Sequence, residues 1–181
     1  MEAIYRVDGN RVLTSPDAAG PWDIRMQHGS APAALVVWAA ERIPTPQPMQ
    51  IARVTIDLMR PVPVAPLTIE TEILREGRKI QLCAIRLRAG HDLVVAATVL
   101  RIKTQVLSLP PEAADIPIQL PGPDQSREEQ PSFSTSRFVA GVSMRAARGR
   151  FGVPGPGASW YRPSVSKTVM AGVADLRVEI F

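Results

Sequence analysis

The sequence predicts an α+β domain in which an antiparallel sheet wraps around one central helix, and three observations carry that expectation. Only the segment Gln27–Arg42 has the composition and boundaries of a long helix. From Met49 to Lys103 four extended runs follow one another across short breaks, which makes chain neighbours antiparallel. The chain of 181 residues holds 18 Pro and 12 Gly with only 5% aromatic residues, a composition unlike a helix bundle.

Residues 3–13 alternate around Asp8-Gly9-Asn10, a turn signal, and read as a short strand or small hairpin ending by Ser15-Pro16. Gly20-Pro21-Trp22 then breaks the backbone. In the helix that follows, Ser30 is the expected N-cap, Pro32 sits in the tolerated first turn, and Pro44 and Pro46 stop it. Its surface is apolar nearly all round, so it should be buried. The extended runs are 50–60, 67–76, 78–89 and 91–103, parted by Pro61-Val62-Pro63, Glu76-Gly77 and Ala89-Gly90; they read as a meander. In the first, Val54, Ile56 and Leu58 oppose Arg53, Thr55 and Asp57; in the second, Ile69, Thr71 and Ile73 oppose Glu70, Glu72 and Leu74. The third and fourth are partly apolar on both faces, so a second sheet, domain or chain should cover what the helix does not. Residues 106–131 are Pro-rich and irregular and read as a linker. An alternating stretch, Phe138–Met144, comes next, then a Gly/Pro loop at 149–157 and Trp160-Tyr161-Arg162-Pro163. Thr168–Leu176 reads as a short helix.

The length suits one domain or one and a half. One cysteine, Cys83, excludes an internal disulfide, and the charged N-terminus has no signal-peptide core. No apolar run reaches the ~18 residues of a membrane span. The expectation is a cytoplasmic protein with no membrane association. Two His and one Cys on different elements give no metal set, no nucleotide-binding glycine loop is present, and no cofactor is expected. Net charge is +4, and Gln130–Ala174 contains Arg137, Arg145, Arg148, Arg150, Arg162 and Lys167 without an acid. Such a stretch attracts phosphates or is simply a solvated basic face.

Gly20-Pro21-Trp22, the helix start Gln27-His28-Gly29-Ser30-Ala31-Pro32-Ala33-Ala34-Leu35, Asp57-Leu58-Met59-Arg60-Pro61-Val62-Pro63 and Leu74-Arg75-Glu76-Gly77-Arg78 resemble the N-terminal half of acyl-CoA thioesterase II-like proteins, over roughly residues 3–104. The resemblance implies a hotdog fold, two to a chain. On that basis residues 1–105 are a hotdog domain, 106–131 the linker and 132–181 an incomplete second hotdog. Phe151–Pro156 and Trp160–Pro163 resemble its opening, and Met170–Leu176 the start of its helix. The family's catalytic aspartate then falls on Asp175, but the strands that would carry its Thr or Ser and Gln partners do not lie within the 181 residues.

His28-Gly29-Ser30 is the strongest candidate site. At a helix N-terminus, free backbone N–H groups and the positive dipole end can hold a thioester carbonyl oxygen as it gains charge, with Gly29 permitting close approach. His28 is an acid, a base or a carbonyl orienter. Arg60, Arg75 and Arg78 are candidates for the phosphates of coenzyme A, since guanidinium pairs well with phosphate oxygens. Asp23 and His28 resemble in spacing the pair of hotdog enoyl-CoA hydratases, although Ile24-Arg25-Met26-Gln27 lack the rest of that motif. Glu41 is about three turns too far down the helix to serve as a base there. The leading expectation is therefore an acyl-CoA thioesterase-like protein that self-associates. The alternatives are a non-catalytic acyl-CoA-binding or assembly protein, an enoyl-CoA hydratase, and nucleic-acid binding through 130–174, which no recognition motif supports.

Overall fold

The computed structural model describes residues 3–108, 110, 112, 119–130, 136–163, 169–171 and 174–176. The expected turn at Asp8-Gly9-Asn10 joins β1 (Tyr5–Asp8) to β2 (Arg11–Thr14) as an antiparallel hairpin, with Gly9 at φ +58° where a side chain is disfavoured. A 3-10 turn at Pro16–Ala18 follows, capped by Ser15 Oγ, which accepts from the Asp17 N–H.

The long helix α1 spans Ser30–Glu41 and ends before Pro44, as the sequence predicts. Its start differs: Gly29, not Ser30, holds the N-cap position, and Ser30 is the first helical residue. The reason is local. His28 Nδ1 accepts the Ser30 N–H at 3.2 Å, so the imidazole does the capping that a serine hydroxyl was expected to do.

Four long strands follow: β3 (Met49–Leu58), β4 (Leu67–Glu76), β5 (Ile80–Ala89) and β6 (Asp92–Lys103). β4, β5 and β6 form the expected meander, but β3 pairs with β6 and not with β4, giving the order β2-β4-β5-β6-β3, all antiparallel. The segment after β3 contains Pro61, Pro63 and Pro66, which cannot donate to a ladder, and it returns past the entrance of α1. There the Gln27 N–H bonds Val62 O and the Val64 N–H bonds Arg25 O.

α1 lies against one face of this sheet. Leu35 and Val36 are fully buried against a core that includes Ile85, Leu87, Val95 and Val99; each such side chain contributes about 1.5–3 kcal/mol. On the opposite face Ile80, Leu82, Leu100 and Ile102 remain half-buried, so the two-sided apolar pattern is real and α1 covers one side of it. Among the described residues no helix is long and apolar enough to cross a membrane.

The remaining elements revise the sequence reading. Residues 109, 111, 113–118 and 131 of the expected linker lie outside the described residues, but Arg127–Glu129, also within it, is a strand, β7. Phe138 begins no strand: Arg137–Ala140 is a four-residue helix, α2, capped by Ser136, and β8 (Val142–Arg148) starts after it. β7, β8 and β9 (Ala158–Pro163) form a second, three-stranded antiparallel sheet that fits a partial second hotdog. Instead of the expected helix, β10 (Val169–Ala171) and β11 (Ala174–Leu176) pair antiparallel, and β10 adds parallel to β1; Thr168, where that helix was to begin, lies outside the described residues. A stretch carrying Val169 and Val173, interrupted by Gly172, favours extended pairing over helix.

Candidate functional site

The amino end of α1 is held by a set of interactions that start at β1. The phenol of Tyr5, fully buried, donates to Gln27 Oε1, and Gln27 Nε2 donates to Pro63 O at 2.7 Å. Burial pushes that phenol well above its usual pKa, so it remains a donor. Next along the chain, the His28 N–H bonds Ala18 O at 2.8 Å. The backbone of residue 28 is thus fixed from two sides. Neither Tyr5 nor Gln27 carries a signal of this role in the sequence; a Tyr on an alternating strand reads as core.

His28 itself is partly buried, and burial lowers its pKa below the ordinary histidine value. Since Nδ1 accepts the Ser30 N–H, the neutral ring carries its proton on Nε2. His28 is therefore arranged to donate through Nε2–H, and acting as a base through that atom would require a change of tautomer. Its ring is stacked on Phe138, with centroids 4.5 Å apart and planes 5° from parallel.

The helix N–H groups are less free than the sequence suggests. The Ser30 N–H is engaged by His28 Nδ1 and the Ala31 N–H by His28 O at 2.9 Å. Among the described residues the Gly29 N–H has no acceptor. Gly29 is exposed, and a Cβ placed there would meet only Leu58 Cδ1, at 3.7 Å. Of the expected pair of carbonyl-binding amides, one remains available.

The other candidates separate by position. Arg60 follows β3 at the same end of the sheet as Gly29 and makes a long, exposed ion pair with Asp92 at 3.9 Å. Arg75 and Arg78 flank the β4–β5 turn, at the end of the sheet where Met49 pairs with Lys103 and Ile80 with Ile102. The nine steps of β3 between Met49 and Leu58, at about 3.4 Å each, put that end roughly 30 Å away; the structure does not bring these two arginines to His28. Asp23 is bound to Arg25 through both carboxylate oxygens, with Arg25 Nη2 at 2.8 Å, and this holds its pKa at about 2. It forms no dyad with His28. Asp175 lies on β11, opposite Met170, and not on a helix. Part of the basic stretch is used internally: Arg145 donates to Pro123 O, and Arg150 pairs with Glu129.

Residues 18–102 match the family described as acyl-CoA thioesterase N-terminal domain. No curated protein matches the chain. Among solved structures, a protein with a hot dog fold from Alicyclobacillus acidocaldarius is similar at 18% identity and a TM-score of 0.68, over 88% of this chain and 60% of that one. A tesB protein from Mycobacterium avium subsp. paratuberculosis is 20% identical, with a TM-score of 0.58 over 87% of this chain and 56% of its own. An acyl-CoA thioesterase II from Mycobacterium marinum is 15% identical, with a TM-score of 0.54 over 72% and 49%. At these identities the likeness establishes the hotdog fold. The chain spans between about half and three fifths of the length of these three structures.

Proposed function

We propose, from the match of residues 18–102 to the acyl-CoA thioesterase N-terminal domain family, that the protein binds an acyl-CoA thioester at the amino end of α1. The carbonyl oxygen sits on the Gly29 N–H and on His28 Nε2–H, two donors supported by the positive end of the helix dipole. The observation that carries this reading is the capping bond from the Ser30 N–H to His28 Nδ1, which fixes the tautomer and leaves Nε2–H and the Gly29 N–H as donors unengaged among the described residues. A depressed pKa keeps His28 neutral near pH 7, so that it polarises the carbonyl without a formal charge. Arg60, at the same end, is the candidate for the carrier's phosphates.

Hydrolysis is the activity this placement serves: attack by water builds negative charge on the carbonyl oxygen, where the two donors stabilise it, and the coenzyme A thiol departs. Each such donor is worth roughly 10²–10³ in rate. A second reading, acyl-CoA binding without turnover, is favoured by one observation. Proton removal from the water needs a base, and Asp23, next to the site in sequence, is held by Arg25 with a pKa of about 2. Measuring thiol release from short and long acyl-CoAs, beside calorimetric binding, decides between them. Turnover that drops at least a hundredfold in His28→Ala supports the thioesterase, and saturable binding without turnover supports the binder. Absence of both would sink the assignment. The proposal includes a reducing, cytoplasmic setting, in keeping with the buried free thiol of Cys83, and self-association.

A further inference from the structure

We propose that Phe138 is a positioning residue for the His28 imidazole, so that the site at the amino end of α1 is assembled from both parts of the chain. The ring of Phe138 lies parallel to that of His28 at 4.5 Å, and it is 7% exposed, packed in the same core cluster as α1. The register of the two rings is set by backbone. His28 donates its N–H to Ala18 O, and Phe138 donates its N–H to the next carbonyl, Ala19 O, at 3.2 Å. Ser136 Oγ donates to the same Ala19 O at 2.8 Å, and Arg137 pairs with Asp17 at 4.0 Å. Two adjacent carbonyls, the last of the 3-10 turn and that of the residue capping it, thus hold the histidine and the aromatic ring side by side.

The two constraints on the imidazole are complementary. The Ser30 N–H fixes which edge of the ring faces the helix, and the Phe138 face fixes its plane. With both in place, Nε2–H is held in one direction, which is what a donor to a developing oxyanion requires. The charged groups nearest in sequence to the stacked pair, Asp17 with Arg137 and Asp23 with Arg25, are each matched in an ion pair, so ring stacking and burial define the surroundings of His28. The functional consequence rests on the reading of His28 as a carbonyl donor; the stacking itself does not.

The chain has only two histidines, His28 and His91, so proton NMR of the full chain resolves them. A ring lying face-on over another is shielded. The ring C–H signals of His28 should therefore lie upfield of those of His91, move back in Phe138→Leu, which keeps apolar volume, and remain upfield in Phe138→Tyr. Should Phe138→Leu fail to fold, Phe138→Trp tests the same geometry, since a larger ring increases the displacement. Unshielded His28 signals in the wild type, or signals unmoved in folded Phe138→Leu or in Phe138→Trp, would overturn the proposal. In acyl-CoA turnover, Phe138→Leu should lower kcat roughly tenfold with KM little changed, and Phe138→Tyr should restore it. Shielded signals in a protein that neither binds nor turns over acyl-CoA would sink the proposed function and leave the stacking intact.

Discussion

Gly29 is helical in backbone conformation, with φ −56° and ψ −28°, so no steric rule demands glycine there. An added methyl would meet Leu58 Cδ1 at 3.7 Å, ordinary van der Waals contact. Gly29→Ala should therefore leave stability unchanged or raise it by up to about 1 kcal/mol through the unfolded state, while crowding the one open N–H of the site. The expected outcome is an unaltered or higher Tm with acyl-CoA turnover or affinity reduced about tenfold or more; full function in that variant would show that the amide touches no substrate. His28 makes a separate, pH-dependent prediction. Its folded pKa lies below the unfolded value of about 6.5, so the unfolded chain binds the proton more readily. Its contribution to stability is full above about pH 6.5 and is lost as pH falls toward the lowered folded pKa. Asp23 acts in a lower window, since its folded pKa of about 2 is depressed by Arg25: its contribution is present above the usual carboxylate range and is lost as pH falls toward 2. Denaturant midpoints of wild type and His28→Gln between pH 4.5 and 8 should converge in slope above 6.5, and a difference that keeps growing above that pH would assign the effect to another group.

At the scale of elements, the two ends of α1 are fixed by different chemistry. The carboxyl end is closed by Arg101 of β6, which is 7% exposed and donates through Nη1 to Ala40 O at 3.0 Å and Ile43 O at 2.7 Å. Gln81 of β5 joins them, donating to Pro44 O and Glu76 Oε2 and accepting from Arg101. Replacing Arg101 by Met keeps the volume but strips the last carbonyls of their donor in a buried setting, which should cost about 3 kcal/mol. Because this network lies at the opposite end of the helix from His28, acyl-CoA affinity should stay within twofold while the Tm falls; a loss of affinity at constant Tm would contradict that separation. The sequence makes the limits of α1 and the β4–β5–β6 meander legible, because prolines, Gly90 and alternation are local signals. It does not reveal that β3 crosses to β6, that His28 caps the helix, or that Arg101 closes it. Those depend on partners far along the chain, and a basic residue in a strand carries no mark of burial. The His28-Gly29-Ser30 motif was readable as a helix start, but the engagement of the Ser30 amide and the remoteness of Arg75 and Arg78 follow only from side-chain geometry and strand register.

For the molecule as a whole, the part of the surface that borders the site carries several exposed apolar side chains. Trp22 is 93% exposed and Ile24 82%, in the loop that pairs with residues 62–64 beside the entrance of α1. Leu58, which ends β3 next to Gly29, and Met59 after it are more than half exposed. β3 is itself an edge strand of the large sheet, with one side of its ladder unpaired among the described residues. Single exposed apolar side chains are ordinary, but two segments carrying them around one helix terminus form the kind of patch that burial in an assembly would stabilise. Full burial of Trp22, Ile24, Leu58 and Met59 would contribute about 1.5–3 kcal/mol each, enough to offset part of the cost of association. The protein should therefore run in light scattering at no less than twice the mass of one chain, and Trp22→Ser with Ile24→Ser should shift it toward the monomer with its fold retained. The same double variant should weaken acyl-CoA affinity in parallel, because the groups that would cover these residues would also exclude water from the Gly29 amide and strengthen its bond to the thioester. A monomer with undiminished affinity would separate the two, leaving the amino end of α1 as a site that works open to solvent.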